Sequence, residues 1–489
     1  MIRVGLIPLD SRPCNTIWIE SLAKIAHFQL LMYPREACGN LYQGANIDCM
    51  IPWLEENAPQ MDYLILSTDG LCYGGLIQAR KAQIDVEKVL KQLDVIKKIK
   101  QQNIHLRIYV FDTIMRTAIT AFDEESHRYY DMMNEFARLK GACYFFKKPE
   151  DIARLKEIEE SIPPHILNTY VKARKTKLML NQFFLSLAKD CIIDKMILLQ
   201  EDASPYGIQA IDQVEIQAQM EKDQLTDVVE FYNGTDEGAA VLLARIIKEE
   251  YQIAPKAYLH IPSSAILKKC HLFEDRPFSE NLYKMLETIG IELVNQVEDA
   301  SFVLAIFAEE ENHPLELKAY IEVPIRKDEV YRQYIQQLNC YMQQKPVLLV
   351  DLFFPNGGSI ELLQDVEYRK LLGYSAWNTS SNSLGTALCN AMAYLVHPES
   401  ATNKDFLKER IMDDCIYQYI ARRKASETLI QKGCSIYNLE SDVDFALSEV
   451  SKWMHQYDDW IDYTPYQLIL PWGRMFEIEI KVEEESNDL

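Results

Sequence analysis

Carboxylates recur in this chain at the ends of short apolar runs, each followed by small or turn-forming residues. VGLIPLD ends at Asp10, YLILSTDG carries Asp69, RIYVFD ends at Asp112, MILLQED ends at Glu201 and Asp202, and VLLVD ends at Asp351. Asp236 and Glu237, in YNGTDEGAAVLLAR, follow another such run. Acids so placed suit general acid–base chemistry, in which one carboxyl holds a proton while a second stays ionised. A carboxyl beside another carboxyl tends to keep its proton, so Asp202 or Glu201 is the expected general acid. Asp112 or Asp69 is the expected partner carboxylate. Asp236 and Glu237 have a plainer role open to them, because acids in the first turn of a helix are favoured by its unpaired N–H groups and dipole. Asp351 stands apart, with no acidic neighbour beside it.

Binding groups lie around these acids. In LDSRPCN, Arg12 follows Asp10 by two residues and Asn15 comes next; the guanidinium would keep the acid ionised or grip substrate hydroxyls, or the pair would cap a helix. In STDGLCYGG, Asp69 and Tyr73 lie among Gly70, Gly74 and Gly75, a spacing that matches neither common nucleotide fingerprint and reads as close backbone approach to a small ligand. The segment YSAWNTSSNSLGTAL sets Trp377, Asn378 and Asn382 among hydroxyls. An indole face stacks on a pyranose while amides meet its hydroxyls, although the start of a helix there would also suit a phosphate. Tyr170, Arg174 and Asn181 share one helix face by spacing, either reaching the same cavity or facing solvent.

The expected activity is therefore a carbohydrate-processing hydrolase of glycosidase type, acting on a small sugar and needing no cofactor. Two alternatives use the same residues. Asp10, Asp69, Asp202 and Asp236 with Asn378 would offer oxygen ligands to Mg2+ or Mn2+, for hydrolysis of a phosphate ester or an amide. Without catalysis, the acids would serve a small-ligand sensing module.

Such acids need a frame that brings them together. Continuous Val/Ile/Leu runs separated by helical patterns read as parallel strands buried on both faces, and the carboxyl ends of such strands share one rim. Strands are expected near 3–8, 28–33, 63–67, 106–111, 196–200, 228–232 and 256–261, with helices over 85–102 and 238–251. The fold class is α/β, with a barrel-like catalytic domain over 1–290 and doubly wound parallel sheets as the alternative. Residues 113–195 read as a helical insertion, and 291–489 as a smaller C-terminal α/β and helical region that completes the pocket. A helix is expected at 328–344, a short strand segment near the end, and a solvated acidic tail in EEESNDL.

Composition narrows the partners. The net charge of −22 opposes nucleic acid and anionic membrane surfaces. No apolar window is long enough to span a bilayer and the chain opens directly into a strand, so a cytoplasmic protein is expected. The 11 cysteines form no CxxC pair and the 9 histidines no HxH or HExxH, which argues against a thiol or imidazole metal centre. Oligomeric state is left open.

LDSRPCN, STDGLCYGG, EDASPYG, YNGTDEGAAVLLAR, FFPNGG, YSAWNTSSNSLGTAL and LPWGRMFE, taken in order, resemble a bacterial family known as domain of unknown function 4127. The resemblance spans nearly the whole chain. The family's opening motif is closer to DDRP, and Ser11 stands here in place of its second acid. The resemblance supports the set of motifs and implies no particular reaction.

Overall fold

Runs such as YLILS and VEFYN hold buried residues at every position, so both faces of these strands must be covered by other elements. The computed structural model describes residues 1–81, 84–120, 125, 128–311, 324–462 and 466–482. The α/β class expected from the alternation of strands and helices is what it contains, with parallel sheets of six and five strands. The chain divides into two compact units. One comprises Met1–Ser11, His27–Leu243 and Phe273–Thr288; the other comprises Arg12–Ala26, Ala244–Leu272 and Ile289–Leu489.

In the first unit, β1 (Arg3–Ile7), β2 (Gln29–Met32), β3 (Tyr63–Ser67), β4 (Arg107–Ile114), β5 (Lys195–Gln200) and β6 (Val229–Asn233) form a six-stranded sheet in the order β2-β1-β3-β4-β5-β6. All neighbours are parallel, with Val4 opposite Tyr63, Leu64 opposite Ile108, Val110 opposite Met196 and Leu198 opposite Phe231. Of the two arrangements open to the sequence, this strand order follows the doubly wound one. The order reverses between β1 and β3, and open α/β sheets place ligands outside the carboxyl ends of strands at such a switch. Gly70, just past β3, is set by this geometry: a Cβ there would lie 2.1 Å from the carbonyl oxygen of Pro8, just past β1.

The expected insertion, 113–195, is helical over most of its described length, but Thr113 and Ile114 still belong to β4, 115–120 form no helix, and Lys195 begins β5. Helices Tyr130–Phe146, Pro149–Ser161 and Pro164–Lys189 follow β4. The first two bury Met133, Phe136, Leu155 and Ile158 against Ile166 and Tyr170 of the third, a small core of their own. Further along, the third helix turns Leu180, Phe184 and Leu187 to the main core with Leu64, Ile108, Val110 and Leu198. One long helix thus ties the insertion to the sheet.

In the second unit, β7 (Lys256–His260), β8 (Glu292–Val294), β9 (Phe302–Phe307), β10 (Val347–Asp351) and β11 (Gly373–Ser375) form a parallel sheet in the order β11-β10-β9-β7-β8. Val303, Ala305, Val347 and Leu349 pack against Tyr334 and Leu338 of the helix Glu329–Tyr341 and against a π-helix at Ile411–Ala421. The terminal strands β12 (Tyr466–Ile469) and β13 (Glu479–Val482) pair antiparallel. The acidic tail, 483–489, lies outside the described residues. Among the described residues no helix is long and apolar enough to cross a membrane.

Candidate functional site

β3 and β4 are neighbours, so the residues at their carboxyl ends face one another across a strand spacing. Ser67 Oγ accepts from the Gly70 N–H at 3.1 Å and caps the short helix Thr68–Tyr73, which carries Asp69. Asp69 and Asp112 are both buried and share one cation, Lys177 from the helix Pro164–Lys189. Its ammonium donates to Asp112 Oδ1 at 3.1 Å and also to Asp69 Oδ1. Thr113 donates to Asp69, Thr68 donates to Asp112, and Asn181 Nδ2 donates to Asp112 Oδ2 at 2.7 Å and to the Thr113 carbonyl at 3.0 Å. Burial opposes the charge on Lys177, yet the two carboxylates outweigh it and raise its pKa. Burial also pushes the Asp69 carboxyl up to about 6, against the pull of the ammonium. The same ammonium lies 5.4 Å from the centre of the Tyr73 ring.

One strand further on, the adjacent acids after β5 take separate arginines. Glu201 pairs with Arg80, and Asp202 Oδ2 lies 2.9 Å from Arg116 Nη2. Arg116 is itself held from the insertion: Arg174 donates to its carbonyl at 2.7 Å and pairs with Asp212, while Tyr170 donates to the Thr117 carbonyl at 2.6 Å. Tyr170, Arg174 and Asn181 thus do reach the rim, and they brace its backbone and its acids. The Asp202 side chain is 29% exposed against 3% for Glu201. Burial raises the Asp202 pKa, with Glu201 and Asp236 adding to the rise and Arg116 and Arg80 opposing it.

Asp236 and Glu237, past β6, are buried. Glu237 Oε2 accepts from the Thr235 N–H at 2.8 Å, which ties together the turn that precedes the helix Gly238–Glu250. Burial pushes its carboxyl up to about 8. Asp10 is also buried, and a Cβ on Gly75 would lie 3.7 Å from the Asp10 Cβ, which sets this acid at the switch between β1 and β3. Several rim donors are left over. Among the described residues, the Tyr73 hydroxyl, Arg80 Nε, Arg116 Nε and Asn233 Nδ2 are buried and meet no acceptor.

The remaining candidates belong to the second unit. Arg12 lies 5.4 Å over the Trp472 ring, and Asn15 is buried. Trp377 is 3% exposed and packs edge-on to Trp18 at 5.8 Å and tilted against Phe476 at 5.4 Å, so within this unit its ring is a packing element and not an open sugar platform. Asn378 adopts a left-handed backbone, φ 62°, and the Asn382 N–H reaches Thr379 Oγ1 at 3.5 Å where the helix Ser380–Val396 begins. Asp351 accepts from the N–H groups of Phe353 at 3.0 Å and Ser359 at 2.6 Å and from the Tyr374 hydroxyl at 3.1 Å, a closed set that folds the FFPNGG loop.

Of the oxygen ligands considered for Mg2+ or Mn2+, two are paired with cations. Lys177 occupies Asp69, Arg116 occupies Asp202, and among the described residues no group of three or more His, Cys, Asp or Glu side chains is arranged to hold a metal. Sequence reasoning passed over Lys177, Arg80 and Arg116. Lys177 was within reach, since it falls between Arg174 and Asn181 on the same helix face. Arg80 ends the STDGLCYGGLIQAR segment, where no spacing ties it to Glu201.

No curated protein and no solved structure matches the chain. A family model described as "Protein of unknown function (DUF4127)" matches residues 4–481, nearly the whole chain, and the chain belongs to that family.

Proposed function

We propose that the protein is a glycosidase-like hydrolase that processes a sugar substrate, with Asp202 as its general acid and Asp236 as the partner carboxylate. The observation that carries this reading is the contrast among the rim acids. Asp69 and Asp112 are buried on Lys177 and Glu201 is buried on Arg80, whereas Asp202, paired with Arg116, keeps a side chain that is 29% exposed and a carboxyl whose pKa burial raises. A carboxyl that is both accessible and inclined to hold its proton suits protonation of a leaving oxygen. Lys177 holds both Asp69 and Asp112, so the partner role is assigned instead to Asp236, a buried acid past β6. The unpaired donors at the rim favour a hydroxyl-rich ligand, because each such group costs roughly 1–3 kcal/mol while it lacks an acceptor.

The test is turnover of a panel of aryl and alkyl glycosides by the full chain. Hydrolysis of at least one, lost in a folded Asp202→Asn variant, supports the reading. A folded wild-type protein that hydrolyses none of them would sink it.

A further inference from the structure

An aromatic cluster in the first unit includes Tyr206, which follows Asp202 closely along the chain. Tyr144, Phe145 and Phe146 close the helix Tyr130–Phe146, and Tyr206 lies in the turn that follows Asp202. The Phe146 and Tyr206 rings are 4.7 Å apart, Phe145 and Tyr206 5.7 Å, and Tyr144 and Phe145 5.0 Å. Tyr144 is 50% exposed, Phe146 49% and Tyr206 53%. A single exposed ring needs no explanation, but contiguous exposed rings mark a surface that meets something.

Close packing fixes this surface to the acid. A Cβ on Gly141 would lie 2.2 Å from the carbonyl oxygens of both Tyr206 and Gly207, so the helix backbone rests directly on the turn. The Ile208 N–H donates to the Ala137 carbonyl at 2.9 Å. On the other side of the turn, the Thr117 N–H donates to the Asp202 carbonyl at 2.9 Å, and the Ser204 N–H donates to Thr117 Oγ1 at 3.2 Å. Asp202 and the ring of Tyr206 are therefore held on one pinned segment.

The charge around the rings is balanced. Lys147 and Lys148 are followed by Glu150 and Asp151, and Lys140 pairs with Glu159 at 2.9 Å. A neutral aromatic surface beside a hydrogen-bonding rim suits neutral pyranose rings, whose C–H faces stack on aromatic faces.

We propose that Tyr144, Phe146 and Tyr206 form an outlying sugar platform. The substrate is then a neutral oligosaccharide or polysaccharide, whose outer residues stack on these rings while the reacting residue sits at Asp202. This rests on the sugar reading of the rim and extends it from a small glycoside to a chain.

The test compares the full-length protein with the Phe146→Ala/Tyr206→Ala double variant, using calorimetric titration with gluco-, xylo-, manno- and chito-oligosaccharides at disaccharide and hexasaccharide length. At least one hexasaccharide is expected to bind about tenfold or more tightly than its disaccharide. The double variant should lose that advantage and keep its disaccharide affinity and thermal midpoint, since both side chains are exposed. The platform is overturned if no hexasaccharide binds better than its disaccharide, or if the variant keeps the advantage. It is also overturned if sedimentation shows a wild-type oligomer that the double variant dissolves, which would make the rings a contact between copies. Because binding is the readout, a protein that holds hexasaccharides on these rings without cleaving any glycoside removes the hydrolase reading and leaves the platform standing.

Discussion

Lys177 Nζ lies 3.1 Å from Asp112 Oδ1 and binds Asp69 with the same ammonium, in a site where the lysine side chain is 3% exposed. A buried cation shared by two carboxylates is costly to disturb, because removing it leaves like charges facing each other in low dielectric. Lys177→Met is expected to destabilise the first unit by about 3–5 kcal/mol in denaturant unfolding. The triple variant that adds Asp69→Asn and Asp112→Asn should regain most of the loss. If Lys177→Met unfolds at the wild-type midpoint, the triad contributes no net stability.

Glu237 makes stability depend on pH. An exposed glutamate titrates near roughly 4.3, while burial holds this carboxyl up to about 8. A folded-state pKa above the unfolded one means that the folded protein binds the proton more tightly. The stability that this proton supplies is full below the unfolded value and is lost as pH rises between the two. Glu237→Gln keeps an acceptor for the Thr235 N–H and removes the titration. The variant should therefore gain thermal midpoint relative to wild type as pH rises from 4.5 to 8.5, measured by circular dichroism. Parallel pH curves for the two proteins would contradict this.

The strands were legible because they are buried on both faces: LIL and MILL are continuous apolar runs, and their ends presented Asp69, Glu201 and Asp202 in advance. Strand order was not legible, since a parallel pair needs only a right-handed crossover and the pattern of β1 looks the same beside β2 or β3. Site roles were harder still. Asp202 and Glu201 are adjacent in sequence, and their difference arises from which arginine reaches each, Arg116 or Arg80, far away along the chain. Trp377 showed the opposite error, because an aromatic ring among amides looks like a platform until Trp18 and Phe476 are found packed against it.

Gly70 tests the closeness of β1 and β3. A Cβ there would meet the Pro8 carbonyl oxygen at 2.1 Å, and a backbone atom has little room to give. Gly70→Ala should cost about 1–3 kcal/mol through overpacking, read as a lowered thermal midpoint, even though alanine favours the helix that begins at Thr68. A variant as stable as wild type would mean that the two strand ends part easily at the switch point.

The sharpest test of Asp202 uses leaving groups. A general acid matters most when the departing oxygen is strongly basic, and it matters little for a dinitrophenolate, which departs without a proton. Asp202→Asn should lower kcat by roughly 10²–10⁴ on an alkyl glycoside, and by less than about tenfold on the dinitrophenyl glycoside of the same sugar. The raised pKa of Asp202 places its proton loss on the alkaline side of the rate profile, so that limb should vanish in the variant while the acid limb stays. Asp236→Asn should slow both substrates alike, because an attacking or water-activating carboxylate is needed whatever leaves. Equal losses on both glycosides in Asp202→Asn would strip Asp202 of the acid's role and leave it as a support for Arg116.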